Sequence, residues 1–150
     1  MLTNMYDVLL LPILAGLMAQ FIKFFIRTNN YRLTWHNLFA YSGMPSMHTA
    51  IVSSLATIVA LKEGLGSPIF AVSFVLAAFI IRDAFGLRQY LGAQGKVLNV
   101  LVNDLKEDDL LDRNYPRLLE KIGHTPAQVA AGAILGLSVS LLGFYFLSYV

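Results

Sequence analysis

From Ala127 to Val150 the chain carries no charged residue, and apolar side chains fall on every face of the helix such a segment would form. A helix that is apolar all round belongs in lipid or deep inside a large core. Composition favours lipid. Hydrophobic residues make up 57% of the 150, and only 13% are charged, against about 25% in an ordinary soluble domain. The competing picture is a soluble helical bundle with an apolar core, and the uncharged last segment argues against it.

The apolar runs predict an all-α, integral membrane four-helix bundle forming a single membrane domain over 1–150. The expected helices are 5–26, 46–61, 68–87 and 126–149. A span needs roughly 20 residues. The second and third have shorter uninterrupted apolar runs, so their polar ends should enter the interface. A polar insert, 89–123, separates the third helix from the fourth. Within it Leu98, Leu101, Val102 and Leu105 follow helical spacing, which suggests an amphipathic helix lying in the interface. The charged run Lys106-Glu107-Asp108-Asp109, with Asp112-Arg113, fits a solvated connector better than a metal site. Gly132-Ala133-Ile134-Leu135-Gly136 is a small-residue stripe that can pack against the second helix or serve a homodimer.

Other classes are set aside by composition. There is no cysteine, hence no disulfide framework. A net charge of +2 gives no basis for a nucleic-acid partner. The N-terminus lacks the basic region and small-residue cleavage site of a signal peptide, so the first apolar stretch is expected to stay in the mature protein. Of the 11 Lys and Arg residues, all but Lys62 fall at one end of the predicted bundle. By the positive-inside rule that end is expected to be cytoplasmic.

The same end gathers the chemistry. His48 follows Pro45-Ser46-Met47 at the start of the second helix, and His124 precedes Thr125-Pro126 at the start of the fourth. Helix N-termini expose unpaired N–H groups and a positive dipole end, so they attract anions. A histidine near neutral pH can attack phosphorus or protonate a departing oxygen. Lys23 and Arg27 close the first helix one turn apart and could grip one phosphate. Taken alone, Lys23 could equally be a lysine snorkelling to the headgroups. Arg88 follows the third helix, and Asp83 either pairs with an arginine or orients a histidine. His36, beside Trp35, reads as an interfacial anchor.

Lys23, Pro45-Ser46-Met47-His48, Asp83-Ala84-Phe85-Gly86-Leu87-Arg88 and Gly123-His124-Thr125-Pro126 together resemble the divergent membrane branch of the type-2 phosphatidic acid phosphatase and vanadium haloperoxidase superfamily. The resemblance extends from Gln20 to Gly136. It implies that Lys23 and Arg27 stand for the superfamily's first motif, with a shorter gap and no proline after the arginine. Pro45 to His48 stand for the second, with Met47 in place of glycine. The third motif is split, with Arg88 as phosphate arginine and His124 as nucleophile. Gln128 occupies the place of the aspartate that normally supports the nucleophile. Gln128 could accept a hydrogen bond from the imidazole, or Thr125-Pro126-Ala127-Gln128 could be a capping box with Gln128 at N3. Asp83 could then supply the missing carboxylate.

The expectation is a membrane phosphatase acting on a lipid phosphate or isoprenoid pyrophosphate through a phosphohistidine. His124 would attack, and His48 would protonate the leaving oxygen. Lys23, Arg27, Arg88 and the N–H groups around Ser46 and Met47 would hold the phosphate oxygens. The resemblance implies no metal or cofactor, with vanadate as a phosphate mimic. The alternative is a phosphate-headgroup binder or lipid carrier without efficient chemistry.

Overall fold

The structure, a computed structural model, describes residues 6–26, 43–107, 116–120 and 122–149. Among these, five helices form and no strand: α1 Asp7–Ile22, α2 Met47–Glu63, α3 Pro68–Phe85, α4 Leu87–Glu107 and α5 Pro126–Tyr149. Four of them, α1, α2, α3 and α5, lie where the four apolar runs are, with ends that differ from the expected bounds by up to four residues. The helix expected in the polar insert is α4, and it starts as early as Leu87. The side chains of the charged run from Lys106 to Arg113, a solvated connector or, less favourably, a metal site by sequence, lie outside the described residues.

Local signals account for the helix starts. Ser46 caps α2, its Oγ accepting from the Thr49 N–H at 3.4 Å. Ser67 caps α3 in the same way, accepting from Phe70 N–H at 3.1 Å, and Pro68 follows where a missing N–H costs nothing. The first helix is shorter than the expected 5–26: it stops at Ile22, with Lys23 as its C-cap and a turn after it. Between α3 and α4 stands Gly86 alone. Its N–H bonds to Arg82 O at 2.9 Å, and Gln89 N–H returns to Gly86 O at 3.0 Å. The break between the helices therefore leaves these backbone groups satisfied.

Helix α2 is central, packed on α1, α3 and α5. The core comprises Leu11, Ala15, Ala19, Ala50, Ile58 and Val139. Small residues let the backbones meet. A Cβ at Gly132 would stand 2.5 Å from Ser46 O, and one at Gly136 would stand 2.9 Å from Ser54 N. The stripe Gly132–Gly136 therefore faces α2 within one chain. Below it Ser140 Oγ donates to Ser54 O at 2.8 Å, which leaves Ser54 Oγ to donate across the 2.7 Å gap to Ser140 Oγ. At the far end Lys62 Nζ meets Asp7 Oδ2 at 2.6 Å and ties α2 to α1.

The outer surface is apolar. Only 17% and 28% of the apolar windows in Pro68–Leu105 and Pro126–Ser148 are buried. Ile69, Val72, Phe74 and Phe79 on α3, and Ile134, Leu142 and Phe146 on α5, all point outward. The core helix of a soluble protein would bury such residues; these face lipid. The protein is an all-α integral membrane bundle. Helices α1 and α2, of 16 and 17 residues, reach only about 24–26 Å at 1.5 Å per residue. That falls short of the ~30 Å hydrocarbon layer.

Candidate functional site

The end of the bundle opposite the Lys62–Asp7 pair is where the sequence motifs converge. It is assembled from the C-terminal ends of α1 and α3 and the N-terminal ends of α2, α4 and α5. Two long-range backbone bonds fasten these ends together. Ser46 N–H donates to Gln128 O at 3.0 Å, joining the starts of α2 and α5. His124 N–H donates to Ala84 O at 2.9 Å, joining the start of α5 to the end of α3.

His124 is buried, at 2% exposure. Its Nδ1 lies 3.2 Å from Gln128 Oε1, and the same oxygen is 3.0 Å from the Thr125 N–H. A backbone N–H can only donate, so the atom facing it must be the amide oxygen. That oxygen cannot donate in turn, so Nδ1 carries the hydrogen and Nε2 keeps its lone pair. The two roles open to Gln128 are thus filled together, because Gln128 N–H also reaches Thr125 Oγ1 at 3.4 Å and completes the capping box. Burial, helped by the charges of Lys23, His48 and Arg88, pushes the His124 pKa down to about 4, against the opposing contact with Gln128. The imidazole is neutral at physiological pH.

Arg88 Nε donates to Asp83 Oδ2 at 2.6 Å. Asp83 therefore holds the arginine and does not stand behind His124, whose side-chain partner is Gln128. The expected supporting carboxylate is not realised, because Asp83 and Arg88 flank the break at Gly86 and meet across it. Arg88, Lys23 and Asp83 lie within electrostatic range of His48, in the first turn of α2. Lys23 is buried, at 2% exposure, at the end of α1. Two histidines and two cations of the sequence motifs are thus brought together.

Ser46 differs from its expected role. Its N–H is taken by Gln128 O, and its Oγ accepts from both Thr49 N–H and Thr49 Oγ1, the latter at 3.0 Å. Buried completely, it is a cap and a fastener, not an open donor to an anion. Of the first-turn N–H groups of α2, those of Met47 and His48 point the way helix-start donors do. Arg27 and His36 lie outside the described residues.

Sequence reasoning missed Gln89 and Asn99. Gln89 Nε2 donates to His124 O at 2.8 Å, so both polar groups of the His124 main chain are held, one by α3 and one by α4. Asn99 binds the backbone of Leu118. The only hint was Gly92 and Gly95, two glycines inside a helix and near Asn99, as a close backbone approach requires.

These observations define a helical membrane protein with two histidines and two cations clustered at one end. The chain matches the Divergent PAP2 family over residues 4–139, and it belongs to that family. It is also 36% identical over 148 residues, spanning 92% of this chain and 94% of the relative, to the uncharacterized membrane protein YuiD of Bacillus subtilis (strain 168). No solved structure matches the chain.

Proposed function

We propose that the protein hydrolyses a membrane lipid phosphate or isoprenoid pyrophosphate through a phosphohistidine. The observation that carries this reading is the bond between His124 Nδ1–H and Gln128 Oε1, which leaves Nε2 as a neutral nucleophile. In the first step Nε2 forms a bond to phosphorus and the P–O bond to the lipid breaks. His48 gives its proton to the departing oxygen. In the second step water attacks phosphorus, His48 takes a proton from it, and the P–N bond breaks. Lipid phosphate and water thus become lipid alcohol and inorganic phosphate. Lys23 and Arg88 stabilise charge on the phosphate oxygens, with the Met47 and His48 N–H groups at the α2 start. Arg27 would join them. No metal takes part in these steps, and vanadate should occupy the pocket as a mimic of the five-coordinate phosphorus.

The motif end is taken to face the cytoplasm, since Lys23, Arg82, Arg88, Lys96 and Arg117 gather there while Lys62 is paired with Asp7. A second reading, a phosphate-headgroup binder or lipid carrier, is favoured by one observation: the partner of His124 is a neutral amide, so the imidazolium formed on attack receives no carboxylate support. Phosphate release by purified wild type and His124→Ala, tested on a panel of lipid phosphates, separates the two. Turnover by wild type that falls at least about a thousandfold in the variant supports the hydrolase. Tight vanadate binding without turnover supports the carrier, and equal release from both proteins removes His124 as nucleophile.

A further inference from the structure

The proposed chemistry uses α4 only at Arg88, yet α4 holds the segment that delivers His124. Residues 118–120 and 122–124 run antiparallel to α4 along one of its faces. Leu118 lies at Asn99, and Gly123 lies at Gln89, where a Cβ would stand 3.0 Å from the Gln89 nitrogen. Between them the strap crosses two glycines. A Cβ at Gly95 would stand 3.0 Å from Leu119 O, and one at Gly92 would stand 2.5 Å from Glu120 O. Positions 89, 92, 95 and 99 are spaced three or four apart and so share a helix face.

Asn99 fixes the far end of this strap. Its Oδ1 accepts the Leu118 N–H at 2.9 Å, and its Nδ2 donates to Leu118 O at 2.9 Å. These are the two bonds a neighbouring strand would offer. The second Nδ2 hydrogen goes to Glu120 Oε1 at 2.9 Å. That bond, before the nearby Arg117, holds the Glu120 carboxyl below its ordinary range. No helix or strand contains residues 116–120 or 122–125, so side-chain bonds set their register on α4. An extended chain advances about 3.3 Å per residue. A slip of one residue would therefore pull His124 against its own bonds to Ala84 O and Gln89 Nε2.

We propose that Asn99 is a positioning residue for His124: by gripping Leu118 and Glu120 it sets the register of the strap on α4, and with it the place of the imidazole in the pocket. This rests on His124 as the phosphate-facing histidine, and its test includes readouts that need neither turnover nor a ligand. Asn99→Asp keeps the volume, removes both donated bonds and sets a carboxylate against Glu120. Adding Glu120→Gln removes that repulsion and returns a donor, since the amide introduced at position 120 can bond to the carboxylate introduced at position 99.

The measurements are the ¹⁵N imidazole shifts of His124 and the affinity for orthovanadate, on the full chain in lipid nanodiscs. Asn99→Asp should shift the His124 resonances and weaken vanadate about tenfold, the loss of hydrogen bonds compounded by charge repulsion. Asn99→Asp combined with Glu120→Gln should recover part of both. Unchanged shifts and unchanged affinity in Asn99→Asp would overturn the proposal. Hydrogen exchange on the wild type guards against a variant that fails to fold. The amides of Leu118 and His124 should be protected to similar degrees; free-chain exchange at Leu118 beside a protected His124 would also overturn it. Failure of the wild type to bind vanadate would count against the phosphate pocket, while the shifts and the exchange still decide the role of Asn99.

Discussion

Gln128 Oε1 stands 3.2 Å from His124 Nδ1 and accepts the Thr125 N–H at 3.0 Å, so one oxygen caps α5 and fixes the tautomer of the histidine before it. A single substitution separates the two duties from the question of charge. Gln128→Glu keeps an acceptor for Thr125 and gives Nδ1–H a charged partner. Charge-assisted bonds are roughly twice as strong as neutral ones. Phosphate release should rise several-fold, with α5 as stable as before. Gln128→Leu should lower release and also cost about 1 kcal/mol of stability through the lost cap. Turnover and thermal midpoints of the three proteins, measured side by side, check this. A Glu variant no faster than wild type would mean that imidazolium support does not limit the reaction.

The pH dependence of stability follows from the burial of His124. Its pKa in the fold, about 4, lies below the roughly 6.5 of an unfolded histidine. As pH falls, the unfolded chain takes up this proton first. The contribution is therefore whole above about pH 6.5 and is lost as pH falls toward 4. The thermal midpoint of the wild type in detergent should drop between pH 7 and 4.5. His124→Gln should drop less over the same range. Parallel curves would show that the imidazole is not desolvated in the fold.

The contact of α5 with α2 can be tested without any activity. Gly136 faces the backbone at Ala50 and Ser54, where no side chain of a partner can move aside. Gly136→Leu should destabilise the bundle by about 1–3 kcal/mol or more, as overpacking does. The oligomeric size should not change, since the face is used within one chain. A change in size with unaltered thermal stability would point to the homodimer that the small-residue stripe also allows.

Helices α2, α3 and α5 were legible because each is marked at its start. Ser46, Ser67 with Pro68, and Thr125 with Pro126 and Gln128 are short-range signals, and the apolar runs behind them leave lipid as their surroundings. The clustering of the candidate residues was legible, since His48, Arg88 and His124 all sit beside helix ends that an up-and-down bundle brings together. Pairing was harder to read. Asp83 could have served a histidine or an arginine, and the break at Gly86, which sets it against Arg88, has no strong sequence mark. Ser46 was read as an anion donor because a motif shows which residue is present, not which neighbour has already taken its N–H. Gln89 and Asn99 act on backbone far along the chain, which periodicity does not report.

Orientation in the membrane is open to a direct test, because the chain has no cysteine of its own. Gly66 is in the connection between α2 and α3, where an added Cβ meets nothing. Gln94 is exposed on α4 at the other end. With the basic residues gathered at the Gln94 end, Gly66→Cys should react with an impermeant thiol reagent in intact cells, and Gln94→Cys only after lysis. The opposite labelling pattern would place the pocket outside.

The two histidines should fail differently, and this is the sharpest test of their assigned roles. His124→Ala removes the proposed nucleophile, so no phosphoenzyme should be trapped from any substrate. His48→Ala leaves Nε2 of His124 free to attack but deprives the leaving oxygen of its proton. General acid catalysis contributes about 10²–10⁴-fold, and it matters least where the leaving group is already stable as an anion. On a lipid phosphate, whose leaving group is an alkoxide, His48→Ala should approach the full loss. On an aryl phosphate the loss should shrink by at least about tenfold, and the phosphoenzyme should still form. Its breakdown should then slow, because His48 also takes the proton from the attacking water. Rapid-quench measurement of phosphoenzyme formation and decay on both substrates resolves the steps. An equal loss on alkyl and aryl substrates would show that His48 binds phosphate and does not donate the proton.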